Sequence, residues 1–324
     1  MLKIGVAGTG HMGRYHINTL CTISGIELTS VCDVNENILE KIARDYDVNV
    51  YTDYEQFLKS VDAVIIAVPT FLHYKFASRA LEAGKHALLE KPMTKTVYFA
   101  EKLVKMAEEK NLVLQVGHVE RFNAAVQELQ NIVKNPYLIQ VQRIGPRSRV
   151  KDVGVVLDLM IHDIDIVLSI ANSKIINIAA HGHKVYTSFE DVANASIYFE
   201  NGVIANITAS RVSENKVRTL AISQEGAYIL LDYTTQDITI YRQPLTDYLV
   251  LKEEIKYKQE SLVERVFVHK ENPLKLEQLH FIECIKDGRE PIRDSEDDIQ
   301  ALKVAKEITS RIYNSWKMSG IDIR

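Results

Sequence analysis

The sequence contains only three cysteines among its 324 residues, at positions 21, 32 and 284. Their number is odd and no two of them form a C-x-x-C pair, which argues against a disulfide framework. We therefore expect buried free thiols in a reducing compartment, and a cytoplasmic protein. The chain opens on an apolar strand and not on a charged and then apolar leader, so we expect no signal peptide.

The sequence also lacks an apolar run long enough to span a membrane, and it has no excess of basic residues. Lys and Arg number 39 against 43 Asp and Glu, which gives a formal net charge of −4 and a pI near 6.2. This balance argues against a surface for nucleic acid or for an anionic membrane. A content of 46% hydrophobic and 25% charged residues is typical of a globular protein, and the length allows two domains.

A glycine motif directly follows the first apolar strand. Gly8, Gly10 and Gly13 have the spacing G-x-G-x-x-G, and a helical pattern begins there. The first glycine permits a tight turn, the second lets the backbone approach a pyrophosphate, and the third allows close packing of helix on strand. Because a helix N-terminus presents free N–H groups to phosphates, the motif predicts a dinucleotide-binding βαβ unit.

Asp33 stands at the end of the second predicted strand, residues 26–32, twenty residues beyond Gly13. A carboxylate there can accept hydrogen bonds from both ribose hydroxyls of NAD, and it would repel the additional phosphate of NADP. No Lys or Arg stands at positions 34–36 to offset that repulsion. The alternative role for Asp33 is a cap of the next helix. The strand end and the spacing favour the ribose role, and therefore NAD as the cofactor.

The first third of the chain alternates continuous apolar strands with amphipathic helices. This pattern predicts a parallel sheet covered on both faces, with ligands at the carboxyl ends of its strands. From about Val119 onwards strand patterns follow one another, with Asn201-Gly202 as a hairpin turn, which predicts a mostly antiparallel sheet. We therefore expect an α/β domain at 1–118 and an α+β domain at 119–324.

Four helices in the second part are predicted from periodicity and from their end signals. Two of them lie near 121–134 and 157–170. A third begins at a cap on Asn272 and ends at Gly288, and the last begins at a capping box over 295–298.

Residues at the glycine turn and at the strand ends are the candidates for contact with the cofactor, since they share the carboxyl edge of the predicted sheet. They are Gly8, Gly10, His11, Met12, Gly13, Asp33, Pro69, Thr70, His73, Glu90 and Lys91.

A second group of polar residues lies on the predicted helix near 157–170. Asp158, His162 and Asp165 stand at i, i+4 and i+7, so they share one face of an otherwise apolar helix. Carboxylates there can orient the imidazole and raise its basicity, as a general base for an alcohol proton requires. A satisfied core ion pair is one alternative. A metal site is another, but no third His or Cys lies near in the sequence, and we expect no metal.

Glu90-Lys91-Pro92 ends a predicted strand on the edge where the nicotinamide should lie. Pro92 keeps Lys91 out of helical geometry, so the lysine is held at the strand end. A lysine beside a bound nicotinamide can share in proton transfer. The alternative is an ordinary surface lysine before a turn.

Three motifs in a fixed order carry a resemblance to a known family: Gly8-x-Gly10-x-x-Gly13, Glu90-Lys91-Pro92 and Asp158-x-x-x-His162. On these motifs the chain resembles the Gfo/Idh/MocA oxidoreductases. The resemblance covers essentially the whole length of the chain. The resemblance implies a Rossmann domain followed by an open-faced, mostly antiparallel sheet with helices on one side, whose free face joins copies into a homodimer or homotetramer. It also implies that Lys91, Asp158 and His162 are catalytic, in the oxidation of a sugar or polyol hydroxyl with NAD. The family often has the motif D-x-G-x-H. This chain has Met160 in place of the glycine, and this difference leaves the acid–base pair intact.

Within that family, segments 117–123 and 152–165 resemble the branch that oxidises C3 of UDP-N-acetylglucosamine. Basic residues crowd the segment before the predicted helix, at positions 143, 147, 149 and 151, and Arg offers bidentate contacts to a diphosphate. The alternative for this segment is a solvated loop. Other functions that stay open are dehydrogenation of a free sugar or inositol, and a non-catalytic NAD(H)-sensing regulator. The candidates for contact with the substrate are His118, Arg121, Asn123, Arg147, Arg149, Asp158 and His162.

We expect the protein to bind NAD much more tightly than NADP, because Asp33 has no basic neighbour to receive the additional phosphate. Asp33→Ala should weaken the binding of NAD and reduce the difference in affinity between NAD and NADP. Isothermal titration calorimetry with NAD and NADP measures both effects. Equal affinities in the unaltered protein would contradict the ribose assignment.

Overall fold

The structure is a computed structural model that describes residues 1–147, 152–242 and 262–318. A parallel sheet forms from the first third of the chain, as predicted. Its strands are β1 (Leu2–Ala7), β2 (Ile26–Cys32), β3 (Asn49–Tyr51), β4 (Ala63–Ile66), β5 (His86–Glu90) and β6 (Leu114–Gly117). They lie in the order β3-β2-β1-β4-β5-β6. The chain changes direction across the sheet between β1 and β4, which is where doubly wound sheets bind their ligands.

Helices connect these strands, and each begins where the sequence gives it a cap or a turn. They are α1 (His11–Leu20), α2 (Glu36–Tyr46), α3 (Tyr54–Leu58), α4 (His73–Glu82) and α5 (Val97–Glu109). Asn35 caps α2, because its side chain accepts the N–H of Ile38 over 3.2 Å. Continuous apolar strands such as β4, which is buried at every position, form the core between the helices.

The second sheet confirms the prediction of a mostly antiparallel arrangement. Its strands are β7 (Leu138–Ile144), β8 (Ile175–His183), β9 (Val192–Phe199), β10 (Ile204–Ser210), β11 (Val217–Gln224), β12 (Ala227–Asp232), β13 (Asp237–Arg242) and β14 (Leu262–Val266). They lie in the order β14-β13-β12-β11-β7-β10-β9-β8, and β7 and β10 run parallel. The predicted hairpin joins β9 to β10, with Gly202 at a φ of +86°. The fold class is therefore the predicted one.

Two helices of the second part differ from their predicted form. The helix expected near 121–134 is α6 (Ala124–Ile132), preceded by a 3₁₀ helix over Val119–Phe122. Asn123 separates the two, because its Oδ1 accepts the N–H of Ala125 and caps α6. The helix expected near 157–170 begins as a π-helix over Val156–Met160 and continues as α7 (Ile161–Ala171).

The closing helices are α8 (Pro273–Asp287) and α9 (Ser295–Met318). Asn272 caps α8, and Gly288 ends it with a φ of +65°, both as predicted. The start of α9 differs from the predicted capping box, because Oδ1 of Asp294 accepts the N–H of Asp297 over 2.9 Å. Helix α9 packs on β8 and α7, while α8 packs on α1 beside the parallel sheet. The second part of the chain therefore packs against the parallel-sheet part through α8.

The three cysteines are free, but only two of them are buried. Cys32 and Cys284 lie inside the fold, whereas Cys21 is exposed, so the expectation of buried thiols was wrong for Cys21. It follows α1 directly, on the surface of the protein. The cytoplasmic location stays a prediction. Within the three described ranges, no helix is both long and apolar enough to cross a membrane.

Candidate active site

The glycine turn between β1 and α1 leaves a space that a phosphate can fill. Gly8 has a φ of +92°, and its N–H donates to the carbonyl oxygen of Cys32 over 2.8 Å. A Cβ on Gly13 would lie 1.9 Å from the carbonyl oxygen of Gly8, so the first turn of α1 can pack against Gly8 only with glycine at position 13. A Cβ on Gly10 would meet no atom within 4 Å. The open space at Gly10 therefore fits the pyrophosphate of NAD.

Asp33 is held beside the glycine turn by three hydrogen bonds. Its Oδ2 accepts from the N–H and the hydroxyl of Thr9, over 2.7 and 2.6 Å. Its Oδ1 accepts the N–H of Asn35 over 3.0 Å. Each carboxylate oxygen can accept more than one hydrogen bond, so Asp33 keeps acceptor capacity for ribose hydroxyls.

A cavity of about 810 Å³ extends from the glycine turn to the ends of β4 and β5. This volume is typical of sites for cofactors and small molecules. Asp152 and Val153 also line it, and the sequence analysis identified neither of them as a site residue. The predicted site residues that line the cavity are Gly8, Gly10, His11, Met12, Asp33, Pro69, Thr70, His73, Glu90, Lys91 and Asp158.

His73 connects the two loops that form one wall of this cavity. It is buried, with Nδ1 2.8 Å from the carbonyl oxygen of Pro92 and Nε2 2.9 Å from that of Val68. Burial lowers the pKa of this imidazole, although both carbonyls oppose the shift. Since both ring nitrogens face the protein, His73 shapes the cavity wall.

Glu90 is a buried carboxylate at the end of β5. Its Oε1 lies 2.9 Å from Nε2 of His16, and its Oε2 accepts the N–H of Lys91 over 3.2 Å. Burial alone would raise the pKa of Glu90, but the hydrogen bond from His16 and the charge of Lys91 leave it below its ordinary value. Glu90 therefore brings a negative charge to the cavity.

Lys91 and Asp158 form a direct pair at the cavity wall. The Lys91 Nζ donates to the backbone oxygen of Asp158 over 2.5 Å and to Oδ1 over 3.2 Å. The lysine side chain is 17% exposed and the aspartate side chain 6% exposed. The structure therefore joins two of the three predicted catalytic residues, from the end of β5 and from the π-helix.

The carboxylates near His162 have partners that the sequence analysis did not predict. Asp165 was expected to support the imidazole, but it accepts two hydrogen bonds from Arg121, over 2.8 and 2.7 Å. Its neighbour Asp163 is paired with Arg143 in the same bidentate way, at 2.8 Å for both bonds. For Asp165 the alternative of a core ion pair was therefore correct. The π-helix also changes the angular spacing between Asp158 and His162 from that of an α-helix.

His162 is buried beside these ion pairs and is only 9% exposed. Its ring stands edge-on to that of His118, with 6.1 Å between centroids, and its Nδ1 has no hydrogen-bond partner among the described residues. Burial, and then the charges of Lys91 and Arg143, place the pKa of His162 well below its ordinary value. The prediction that carboxylates raise its basicity was therefore wrong. The imidazole is neutral, which is the form that accepts a proton.

Two predicted substrate residues have all their described contacts inside the protein. Arg121 pairs with Asp165 and also donates to Asp298 of α9 over 2.5 Å. Asn123 donates to the backbone oxygen of Tyr233 over 3.0 Å, besides capping α6. The structure therefore places both side chains in hydrogen-bond networks within the fold.

The basic segment before the π-helix divides into separate environments. Arg143 is buried and paired with Glu120 and Asp163, so it is not available to a diphosphate. Arg147 is exposed, with its guanidinium 5.1 Å from the ring centre of Tyr186. Arg149 and Lys151 lie outside the described residues. Of the described residues in this segment, Arg147 is the one that can still meet a diphosphate.

His16 is a site residue that the sequence analysis missed, although a signal for it exists. Gly13, His16, Ile17 and Leu20 stand at i, i+3, i+4 and i+7, and all are buried. This spacing places a histidine on the face of α1 that packs on the sheet, where a buried polar group needs a partner.

Among the described residues, no group of three or more His, Cys, Asp and Glu could hold a metal ion.

Known proteins share this architecture over most of the chain. Residues 2–118 match the Gfo/Idh/MocA domain described as an oxidoreductase family with an NAD-binding Rossmann fold. Residues 133–229 match the Gfo/Idh/MocA C-terminal domain. Together the two matches cover more than half of the chain.

Two dehydrogenases illustrate the range of similar proteins. UDP-N-acetylglucosamine 3-dehydrogenase of Acidithiobacillus ferrooxidans is 34% identical over 75% of this chain and 77% of its own. Its solved structure gives a TM-score of 0.86 at 29% identity, over 96% of this chain and 97% of that one. The NAD(+)-dependent scyllo-inositol 2-dehydrogenase of Bacillus subtilis is 27% identical over 100% of this chain and 97% of its own.

Gly10→Val should abolish NAD binding and leave folding unchanged, because its side chain would fill the open space that suits the pyrophosphate. Calorimetry measures the affinity and thermal unfolding measures stability. Gly145→Val is the matched control, since a Cβ there also meets no atom within 4 Å and the residue lies outside the cavity lining. Unchanged NAD affinity in Gly10→Val would show that phosphate does not bind at this turn.

Proposed function

The chain belongs to the Gfo/Idh/MocA family of oxidoreductases, with an NAD-binding Rossmann domain, and we propose that it oxidises C3 of UDP-N-acetylglucosamine to a ketone. The observation that carries the proposal is the Lys91–Asp158 pair in the wall of the cofactor cavity, with the neutral His162 on the adjoining helix. The similar enzyme from Acidithiobacillus ferrooxidans supports the choice of substrate.

Oxidation of a secondary alcohol removes a hydride from carbon and a proton from oxygen. NAD, when bound, accepts the hydride. The proton needs a base within hydrogen-bond reach of the hydroxyl, and we assign that base to His162 because its imidazole is neutral. Lys91 positions the hydroxyl oxygen, and Asp158 fixes the lysine through two hydrogen bonds. Loss of both hydride and proton leaves the 3-keto sugar nucleotide.

The diphosphate of the substrate needs donors outside the hydride-transfer site. Arg147 is exposed before the π-helix, so we assign it to this role together with Arg149 of the same segment. His118, edge-on to His162, is assigned to the sugar. Burial and the charge of Arg121 lower the pKa of His118 to about 4, so it too is neutral.

A free sugar or an inositol is the second candidate for the substrate. The scyllo-inositol dehydrogenase of Bacillus subtilis matches the chain over its whole length, although at lower identity. An inositol has no diphosphate, so it would leave the basic segment without a function. This difference favours the nucleotide sugar.

We also propose a domain boundary and a mode of assembly. We place the domain boundary at 118–119, directly after β6 ends at Gly117. We also propose that copies associate through the free face of the second sheet into a homodimer or homotetramer. Large apolar and aromatic side chains on its strands are exposed, among them Ile176, Tyr198, Ile204, Tyr228 and Tyr241.

His162→Ala and Lys91→Ala should each lower kcat by a factor on the order of 10², typical of lost acid–base catalysis, with NAD affinity retained. Steady-state kinetics and calorimetry measure the two quantities. His269→Ala, which removes a side chain that is 84% exposed, serves as the control. Near-normal kcat in both variants would exclude this site. Since the pKa of His162 is lowered, its acid limb in the pH profile of kcat/KM should lie below about 6.5.

UDP-N-acetylglucosamine should reduce NAD, whereas free N-acetylglucosamine and inositol should react barely or not at all. Arg147→Ala should raise the KM for the nucleotide sugar about two- to fivefold with kcat unchanged, because an exposed charged contact is weak and remote from the reacting carbon. Arg44→Ala is the control, since Arg44 is also exposed but lies on α2 outside the cavity lining. Equal activity on the free sugar, or strong activity on inositol alone, would replace this substrate by the second candidate.

A further inference from the structure

A buried chain of hydrogen bonds connects α8 to the end of β5. His16 on α1 is completely buried, and its Nε2 lies 2.9 Å from Oε1 of Glu90. On the other side of the ring, Nδ1 lies 2.9 Å from Nε2 of Gln278, which is also completely buried. The residues that meet here come from three elements that are far apart in the sequence. None of them is used by the hydride and proton transfer described above.

The geometry determines which nitrogen of His16 carries the proton. The Gln278 atom beside Nδ1 also lies 3.2 Å from the backbone oxygen of His16. A carbonyl oxygen can only accept, so the glutamine atom facing it must be the amide nitrogen. That nitrogen donates to Nδ1 as well, so Nδ1 has no proton of its own. Nε2 therefore carries the proton of the imidazole and donates a hydrogen bond to Glu90.

We propose that His16 and Gln278 are positioning residues that keep Glu90 ionised and in one orientation at the cofactor cavity. Glu90 in turn accepts the N–H of Lys91, so the same hydrogen bonds position the backbone of the lysine. A carboxylate lining this cavity stabilises the cationic, oxidised nicotinamide relative to the neutral, reduced one. By holding Glu90 in this state, His16 and Gln278 bias the site toward the oxidised cofactor. This inference rests on NAD binding alone, and not on the proposed substrate or base.

The charges around Glu90 agree with this role. The titratable groups that face it are His16 from α1, His73 from α4, Lys91 beside it, His118 beyond β6, and Glu277 from α8. Glu277 is completely buried and its two carboxyl oxygens have no hydrogen-bond partner among the described residues. Burial and the charge of Glu90 place the pKa of Glu277 well above its ordinary value. Of these two neighbouring carboxyl groups, Glu90 is the one that accepts the hydrogen bond from Nε2 of His16.

The tautomer can be measured in the unaltered protein. In a ¹⁵N-edited NMR spectrum at pH 8, His16 should show a protonated Nε2 and an unprotonated Nδ1, with the signal assigned by its loss in His16→Gln. A proton on Nδ1 would overturn the proposal, because Glu90 would then lack its donor.

The effect on the cofactor is measured as the ratio of the Kd for NADH to the Kd for NAD+, between pH 6 and pH 9. Glu90→Gln should lower this ratio roughly three- to tenfold at every pH, because it removes the charge. His16→Leu should lower it at pH 6 and restore it toward pH 9, because a buried carboxyl without its donor has a raised pKa. Glu277→Gln is the matched control, and it should leave the ratio unchanged because Glu277 does not line the cavity.

A loss of stability alone would not produce a ratio that depends on pH. If the ratio in His16→Leu is the same as in the unaltered protein at every pH, or if Glu90→Gln leaves the ratio unchanged, the proposal is wrong. If His16→Leu does not fold, Gln278→Leu and the NMR measurement decide the matter, since the glutamine variant should show the same pH dependence more weakly.

Discussion

The position of the helix that carries His162 depends on the need to pair buried charges. Three of its carboxylates each meet a cation from a different element: Asp158 with Lys91 after β5, Asp163 with Arg143 of β7, and Asp165 with Arg121 of the 3₁₀ helix. Leaving one member of such a pair unpaired costs about 3–5 kcal/mol. The helix therefore has one favourable placement, between the cofactor-binding sheet and the second sheet. Arg121 also pairs with Asp298 at the start of α9, which extends the same constraint to the last helix.

The fold was largely predictable because local sequence signals mark the ends of its strands. Strand β2 ends before Asp33 and was predicted with its observed bounds, and β9 ends before the predicted Asn201-Gly202 turn. Strands β3 and β14 were missed. The first has three residues and pairs only with β2, and both stand at the edges of their sheets. An edge strand this short has too few residues for periodicity to show, and its partner supplies the order.

The site was less predictable, because its residues are paired across long stretches of sequence. Spacing along one helix suggested that Asp165 supports His162, but Arg121, 44 residues earlier, is its partner. Asp163 and Asp165 were visible as charges on an apolar helix, yet nothing local identifies Arg143 or Arg121 as the cations that neutralise them. The π-helix was also invisible, since it is a property of the backbone. The glycine turn was the exception, because the close approach of Gly13 to Gly8 acts over five residues, although Gly8 also bonds Cys32 farther along the chain.

The same ion pairs bear on which side chain takes the proton. Lys91 donates two hydrogen bonds to Asp158, so it is held as a donor, and a donor to the substrate oxygen must keep its proton while the alcohol is aligned. Burial, and then the charges of Lys91 and Arg143, lower the pKa of His162, so its ring stays neutral. A low pKa weakens a base, but in the proposed reaction the positive charge of Lys91 stabilises the alkoxide that forms as the proton leaves, which lowers the demand on that base. The arrangement therefore favours a division of roles in which lysine orients and histidine accepts.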